Sequence, residues 1–278
     1  MISAPALLKR HGLAAKKSWG QCFLVDEATF TAIVHAAGAG PGERVIEIGA
    51  GLGTLTQRLA ATGAEVIAIE RDRDLVAVLH AELGGDPRIT IIADNALTVD
   101  YGALGAGARP ALAVGNLPYQ IAAPILFRLL AADPRLGRIV IMVQKEMADR
   151  IVARPGTRAY GALSVMVRST GEPALVRRVG RGGFHPAPRV DSAVVKIDLV
   201  PRPPAVDPAR FSAVVHAAFS QRRKMLRNAL QALAPGADVD RALARAGIDG
   251  ARRGETLDQT EFAQLAGAWP TGGEAGHA

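Results

Sequence analysis

Between Arg44 and about Val143, short apolar runs rich in β-branched residues alternate with stretches whose apolar positions recur at helical spacing. The pattern predicts strands at Arg44–Ile48, Glu65–Ile69, Arg88–Ile92, Ala111–Val114 and Arg138–Val143. It predicts helices at Leu52–Ala61, Arg73–Leu83 and Ala122–Ala131. This βαβ rhythm implies an α/β fold, a mostly parallel sheet covered by helices. Such sheets carry ligands at the carboxyl ends of their strands. A further strand pair is expected at Ala174–Val179 and Ser192–Leu199. Pro201, Pro203 and Pro204 read as a linker. Asp207 can then cap a helix with Pro208 at its first position, and the pattern stays helical to Trp269. The expected organisation is an α/β domain over 1–202, a small all-helical domain over 203–270 and a disordered tail over 271–278.

Composition narrows the class. A chain of 278 residues, 49% hydrophobic and 21% charged, can bury a sizeable core and is too apolar for a disordered chain. No apolar run approaches the roughly 20 residues that span a bilayer, and Met1 to Lys17 lacks the pattern of a secretory signal. The chain is therefore expected to be soluble and cytoplasmic, without a membrane partner, and nothing demands more than a monomer. The single cysteine, Cys22, excludes an internal disulfide framework. A net charge of +7 favours polyanionic partners, though the same charge also serves solubility.

The first candidate chemistry lies in Val45-Ile46-Glu47-Ile48-Gly49-Ala50-Gly51-Leu52-Gly53-Thr54, a strand breaking into a glycine turn and then a helix. Gly49, Gly51 and Gly53 allow a tight bend and close approach of a ligand. Glu70 ends the next strand, where a carboxylate can take both hydroxyls of a ribose. Asp94 follows the third strand, where it can accept from an adenine amine. A dinucleotide site wants Gly-x-Gly-x-x-Gly and a pyrophosphate on a helix start. Here the spacing is Gly-x-Gly-x-Gly, and Glu47 would repel a pyrophosphate while suiting a cation. The glutamate, the spacing and the acid pair Glu70 and Asp94 resemble class I S-adenosylmethionine methyltransferases.

The second lies after the fourth strand, in Gly115-Asn116-Leu117-Pro118-Tyr119. The exocyclic amine of adenine is a poor nucleophile because its lone pair is delocalised into the ring. The side-chain oxygen of Asn116 and the carbonyl of Leu117 or Pro118 can accept hydrogen bonds from it, and Tyr119 offers a ring for stacking. Positioning and electrostatic support then replace a strong base. The tetrapeptide resembles the (Asn/Asp/Ser)-Pro-Pro-(Tyr/Phe) signature of amino-group methyltransferases, in a leucine variant that points to adenine in RNA.

Further blocks make the likeness specific. Lys17-Ser18-Trp19-Gly20-Gln21-Cys22-Phe23-Leu24, Gln144-Lys145-Glu146-Met147, Phe184-His185-Pro186-Ala187-Pro188-Arg189-Val190-Asp191-Ser192-Ala193 and Ala218-Phe219-Ser220-Gln221-Arg222-Arg223-Lys224 stand in order. From about Lys16 to Trp269 the chain resembles the ribosomal RNA adenine N6,N6-dimethyltransferases of the bacterial kasugamycin-sensitivity type. The resemblance implies a class I fold with a seven-stranded sheet, S-adenosylmethionine as cofactor, and 16S ribosomal RNA in an immature small subunit as partner. It implies two methylations on each of two adjacent adenosines in the 3′-terminal hairpin. Asn116, Leu117, Pro118 and Tyr119 would act on the base, with Phe184 closing over it once it is flipped. Gln21, Cys22, Leu24, Glu47, Gly49, Gly51, Gly53, Glu70, Arg71, Asp94, Asn95 and Asn116 would hold the cofactor. The family usually has Asn where this chain has Cys22, which is harmless if the contact there runs through the main chain.

Arg222, Arg223, Lys224 and Arg227 are expected on one stretch of helix, and Arg150 and Arg154 near a loop; these basic groups suit phosphate contacts. The histidines lack ligand spacing and no metal is expected. Two alternatives stand beside this reading: a large-subunit RNA adenine methyltransferase of the macrolide-resistance type, and a non-catalytic ribosome-assembly factor.

Overall fold

The computed structural model describes residues 2–132, 135–200 and 206–269. The expected proline linker at 201–204 and the expected tail from 271 lie outside them. Among the described residues nine strands follow: β1 (Phe23–Leu24), β2 (Arg44–Ile48), β3 (Glu65–Glu70), β4 (Ile89–Ala93), β5 (Ala111–Asn116), β6 (Leu136–Gln144), β7 (Gly171–Val179), β8 (Phe184–His185) and β9 (Ser192–Leu199). Seven form one sheet in the order β4-β3-β2-β5-β6-β9-β7, and β1 pairs separately with β8. From β4 to β6 the pairing is parallel, with Val45 opposite both Val66 and Leu112; β9 then runs antiparallel to β6. The order reverses at β2, which lies between β3 and β5. In an open α/β sheet that reversal leaves a crevice beyond the carboxyl ends of the two flanking strands.

The central strands β2 and β5 form because they are buried on both faces and so read as largely apolar runs. All of β5 but Asn116 is buried, and β2 is buried from Val45 onward. Helices Thr54–Ala60, Arg73–Leu83 and Ala122–Ala131 make the crossovers. Leu55 and Leu59 pack with Val45, Val66, Leu112 and Val140 in one core cluster. At Gly115 the neighbouring strand comes so near that a Cβ would stand 2.7 Å from the Ile48 carbonyl oxygen. Helices Ala4–Arg10, Glu27–Ala37 and Tyr101–Leu104 of this part are not marked by the sequence pattern. Ala4–Arg10 buries Ala4, Leu7 and Leu8 against Leu52, Leu75 and Val78. Glu27–Ala37 is capped by Asp26, which accepts from the Thr29 amide, and closed by Gly38 at φ 66°.

The chain divides into two compact units: the described residues within Met1–Ala148 and Glu172–Pro201, and those within Asp149–Gly171 and Arg202–Ala278. Residues 149–171, expected in the first domain, thus group with the C-terminal helices. The reason is apolar: Ala153, Tyr160 and Val165 share a core with Phe211, Val215, Leu226, Leu243 and Phe262. The Tyr160 hydroxyl donates to the Leu257 carbonyl at 2.9 Å, and its ring meets Phe219 edge-on at 6.0 Å. The helix expected from Asp207 runs over Pro208–Ser220 with Asp207 accepting from the Ala209 amide at 3.0 Å. Later, Asp258 and Glu261 form a reciprocal capping box for Gln259–Ala268.

Candidate active site

A cavity of about 400 Å³ opens in the crevice where β2, β3 and β5 end. Its wall holds Ser18–Phe23 from the N-terminal segment, Ile48 at the end of β2, Gly49 and Gly51 from the glycine turn, and Ile69, Glu70 and Arg71 at the end of β3. Asp94 and Asn95 follow β4, and Asn116–Ile121 run from the last residue of β5 into the turn beyond it. The size is that of a small-molecule pocket, with apolar walls and a few convergent polar groups.

The glycine turn works because three glycines adopt positive φ. Gly49 stands at 72°, Gly51 at 60° and Gly53 at 77°. Gly49 and Gly51 border the cavity, and a Cβ on Gly51 would meet the Phe23 ring at 3.4 Å. Gly53 does not border it. Its need for glycine comes from the helix behind: a Cβ there would stand 2.5 Å from a Leu83 methyl and 2.9 Å from one of Leu79.

Glu70 is held by main-chain donors. Its Oε2 accepts from the Gly51 amide at 2.9 Å, and Oε1 accepts from the amides of Arg71 and Asp72, each at 2.8 Å. Oε1 is thereby filled, while Oε2 keeps a second lone-pair site, so the group can still receive a hydroxyl. Asp94 is exposed at the cavity and accepts from the Asn95 amide at 2.6 Å. Glu47 differs. It is 1% exposed and lies behind the wall, with Oε2 unpartnered. Burial pushes its carboxyl up to about 8; the nearby Thr56 hydroxyl opposes the rise without completing a hydrogen bond, and the Glu70 charge adds to it.

The N-terminal wall is fastened at two places. The Asn116 side-chain amide Nδ2 donates to the Cys22 carbonyl at 3.2 Å. Because a carbonyl only accepts, this bond fixes the orientation of the Asn116 amide and turns Oδ1 to other partners. Residue 22 is therefore engaged through its main chain, and burial pushes the Cys22 thiol up, away from the thiolate. The second fastening joins Lys16 and Gln21 to Asp72.

In the Asn116–Tyr119 turn, the Leu117 amide donates to the Met142 carbonyl at 3.1 Å and the Pro118 carbonyl accepts from Ile121 at 3.0 Å. Among the described residues the Leu117 carbonyl has no backbone donor, so it is better placed than that of Pro118 to accept from an amine. The Tyr119 hydroxyl shares a 2.6 Å hydrogen bond with buried Ser192. Burial pushes that hydroxyl's pKa up, against the Ser192 bond. Phe184, expected to face Tyr119 across a base, is 5% exposed and does not border the cavity. It pairs with Leu24 between β8 and β1, and both side chains join the core with Phe30 and Val194.

The basic residues of the second unit depart from expectation. Arg222, Arg223 and Lys224 lie in a turn after Pro208–Ser220, and Arg227 in the next short helix, Leu226–Leu230. Arg222 is tied to Glu255 at 3.0 Å and to the Arg158 carbonyl at 2.6 Å, and Arg227 to Asp240 at 2.5 Å. Arg150, Arg154, Arg223 and Lys224 are exposed. Among the described residues no group of His, Cys, Asp and Glu could hold a metal, and no helix is long and apolar enough to cross a membrane.

The strand order and a cavity built from a glycine turn, two strand-end acids and an Asn-Leu-Pro-Tyr turn define a class I methyltransferase. The family model for ribosomal RNA adenine dimethylase matches residues 12–268, and the chain belongs to that family. It is 48% identical over 277 residues to Ribosomal RNA small subunit methyltransferase A of Anaeromyxobacter sp. (strain K), covering 95% of this chain and 96% of the relative. The protein of the same name from Moorella thermoacetica is 47% identical over 271 residues, covering 94% of each. Among solved structures, a 23S rRNA methyltransferase, ErmE, superposes with a TM-score of 0.69 at 27% identity, over 88% of this chain and 98% of that one. A dimethyladenosine transferase from Plasmodium falciparum shares the fold, with a TM-score of 0.76 at 24% identity over 87% and 95% of the two chains. The family and fold are those of enzymes that use S-adenosylmethionine.

Proposed function

We propose that this enzyme dimethylates the N6 amines of two adjacent adenosines in the 3′-terminal hairpin of 16S ribosomal RNA, within an immature small subunit. The observation that carries the chemistry is the orientation of Asn116: with Nδ2 committed to the Cys22 carbonyl, Oδ1 is the acceptor for the adenine amine. The small-subunit substrate rests on the relatives, which share nearly half their residues over almost the whole chain and carry that name.

The cavity suits the cofactor. Acidic Glu70 and Asp94 flank a cradle of glycines at positive φ, and Ile48 and Ile69 supply apolar wall. Glu70 would hold the ribose through a hydroxyl on Oε2, Asp94 and Asn95 would hold the adenine end, and Gly49 and Gly51 would supply the backbone beside them. Arg71 and the Gln21–Cys22 wall would close the site. Glu47, Leu24 and Gly53 would support this cradle from behind. S-adenosylmethionine supplies, when bound, a methyl group on a cationic sulfur. Asn116 Oδ1 and the Leu117 carbonyl accept from the incoming amine and keep its lone pair directed into the cavity. Pro118 stiffens the turn. Tyr119, its hydroxyl anchored by Ser192, presents its ring to the base. The amine's surplus proton passes to water, so no strong base is required. Phosphate contacts come from the exposed Arg150, Arg154, Arg223 and Lys224, with Arg222 and Arg227 shaping that surface.

The test is transfer of tritium from labelled S-adenosylmethionine to unmethylated small and large subunits in parallel, with Asn116→Ala as control. Label recovered from small-subunit RNA as N6,N6-dimethyladenosine, and lost with Asn116→Ala, is the expected result. Label on large-subunit RNA instead, or equal transfer by the variant, overturns the assignment.

A further inference from the structure

Asp72 is a charged side chain only 2% exposed, and no catalytic step above uses it. A carboxylate buried so deeply is costly unless its oxygens are filled. Here they are. Oδ1 receives the Lys16 ammonium at 2.6 Å and the Asp74 amide at 3.2 Å, and Oδ2 receives the Gln21 side-chain amide at 2.7 Å. Burial pushes the carboxyl up, but the bonds from Lys16 and Gln21 more than offset this and hold it below the usual carboxylate range.

Part of the arrangement is ordinary helix capping, since Asp72 precedes the helix Arg73–Leu83. Capping uses one oxygen and would be served equally by Asn. The other donors come from a segment far away in sequence, the one whose residues 18–23 form the cavity's N-terminal wall. Gln21 is further locked by accepting from the Lys16 amide at 2.9 Å. Trp19, 43% exposed, sits against the Arg71 guanidinium at 4.5 Å and the Lys16 ammonium at 5.2 Å. Lys16 also pairs with exposed Asp74 at 2.7 Å. Thus, among the described residues, the side-chain fastenings of 16–21 to the rest of the unit end on residues 71–74, and Asp72 is the one buried among them. The Asp72 amide in turn donates to Glu70 Oε1. One residue therefore joins the N-terminal wall of the cavity to the carboxylate assigned to the ribose.

We infer that Asp72 is a positioning residue that latches the N-terminal wall, through Lys16 and Gln21, over cofactor bound at Glu70, and so sets how long the cofactor stays. The inference rests on the methyltransferase reading of the cavity. Asp72→Asn keeps the cap and the shape but removes the charge that holds Lys16 and sets an amide donor against that of Gln21.

The experiment measures S-adenosylmethionine binding by calorimetry, and its dissociation rate by Trp19 fluorescence in a Trp269→Phe background, for the parent, Asp72→Asn, Lys16→Met and the double variant. Losing one charge-assisted bond should weaken binding about tenfold in each single variant, mostly through faster release. The double variant should be no worse than Asp72→Asn, and kcat at saturating cofactor should stay within about twofold of the parent. Should Asp72→Asn fail to fold, Lys16→Met, at a residue one-third exposed, carries the same comparison. Parent binding that neither substitution alters overturns the latch alone, as do effects that add in the double variant. Absence of cofactor binding by the unaltered protein overturns the reading of the cavity, and the latch with it.

Discussion

Glu47 stands on β2 with one carboxylate oxygen unpartnered and its pKa raised to about 8, against 4.5 for an exposed glutamate. Between those values the native chain keeps a proton that the unfolded chain releases, so this residue makes stability fall as pH rises from about 4.5 to about 8. The slope can reach about 1.4 kcal/mol per pH unit. Glu47→Gln retains the neutral shape and removes the titration. Thermal unfolding of both proteins at pH 5 and pH 8 should show the parent losing stability over that range and the variant losing less; parallel profiles would refute the assignment. Cys22 poses the opposite case. Its engaged group is the carbonyl, which every residue has. Cys22→Asn should change the methyl-transfer rate by less than about twofold. Asn116→Ala should abolish it. A large gain from Cys22→Asn would mean that the side chain, too, matters there.

The glycine turn couples the cavity to the helix behind it. Gly53 caps Thr54–Ala60 at φ 77°, and a Cβ would press into Leu83 and Leu79. Gly53→Ala should therefore cost about 2–4 kcal/mol from the left-handed conformation plus overpacking, read as a lower midpoint in urea. At Gly51 a Cβ would only touch the Phe23 ring at 3.4 Å, and the cost would come from its φ of 60° beside the cavity. That division of labour was not legible in the sequence, where the three glycines look alike. What was legible is explained by burial: β2, β3 and β5 are covered on both faces and announce themselves as apolar runs. The acids at their ends stand where the strand register puts them. Phe184 lies in the core with Leu24 and Phe30, which precede it by 160 and 154 residues, and with Val194, and nothing local in the sequence marks such a ring as core or cavity. Arg222–Lys224 were expected on a helix because no Gly or Pro interrupts Ser220–Leu226. The chain turns there because the Leu226 and Arg227 amides donate to the carbonyls of Arg252 and Gly250, at 2.7 and 3.1 Å, rather than along a helix. Those partners lie more than twenty residues away and are invisible to a periodicity argument.

At the scale of the whole molecule the net charge of +7 favours a polyanion but says nothing of which cations serve it. The second unit separates them. Arg222 braces the fold through Glu255 and two main-chain carbonyls, and Arg227 through both oxygens of Asp240. Arg223 and Lys224, in the same turn, are exposed and form no ion pair among the described residues. A phosphate contact is worth most when the cation gives up no protein partner to make it. Counterion release then predicts different signatures for the two kinds of residue. Arg223→Ala with Lys224→Ala should weaken binding to small-subunit RNA and lower the slope of log affinity against log salt by about 1–2 between roughly 50 and 200 mM. The melting temperature should not move. Arg222→Ala should instead lower the melting temperature by a few degrees, about what losing its hydrogen bonds implies, with a smaller change in slope. Filter binding across salt, read beside a melting curve for each variant, checks both. If the salt slope is unchanged when Arg223 and Lys224 are both removed, the RNA backbone is gripped elsewhere, and the turn after Pro208–Ser220 is a solvated corner of the fold.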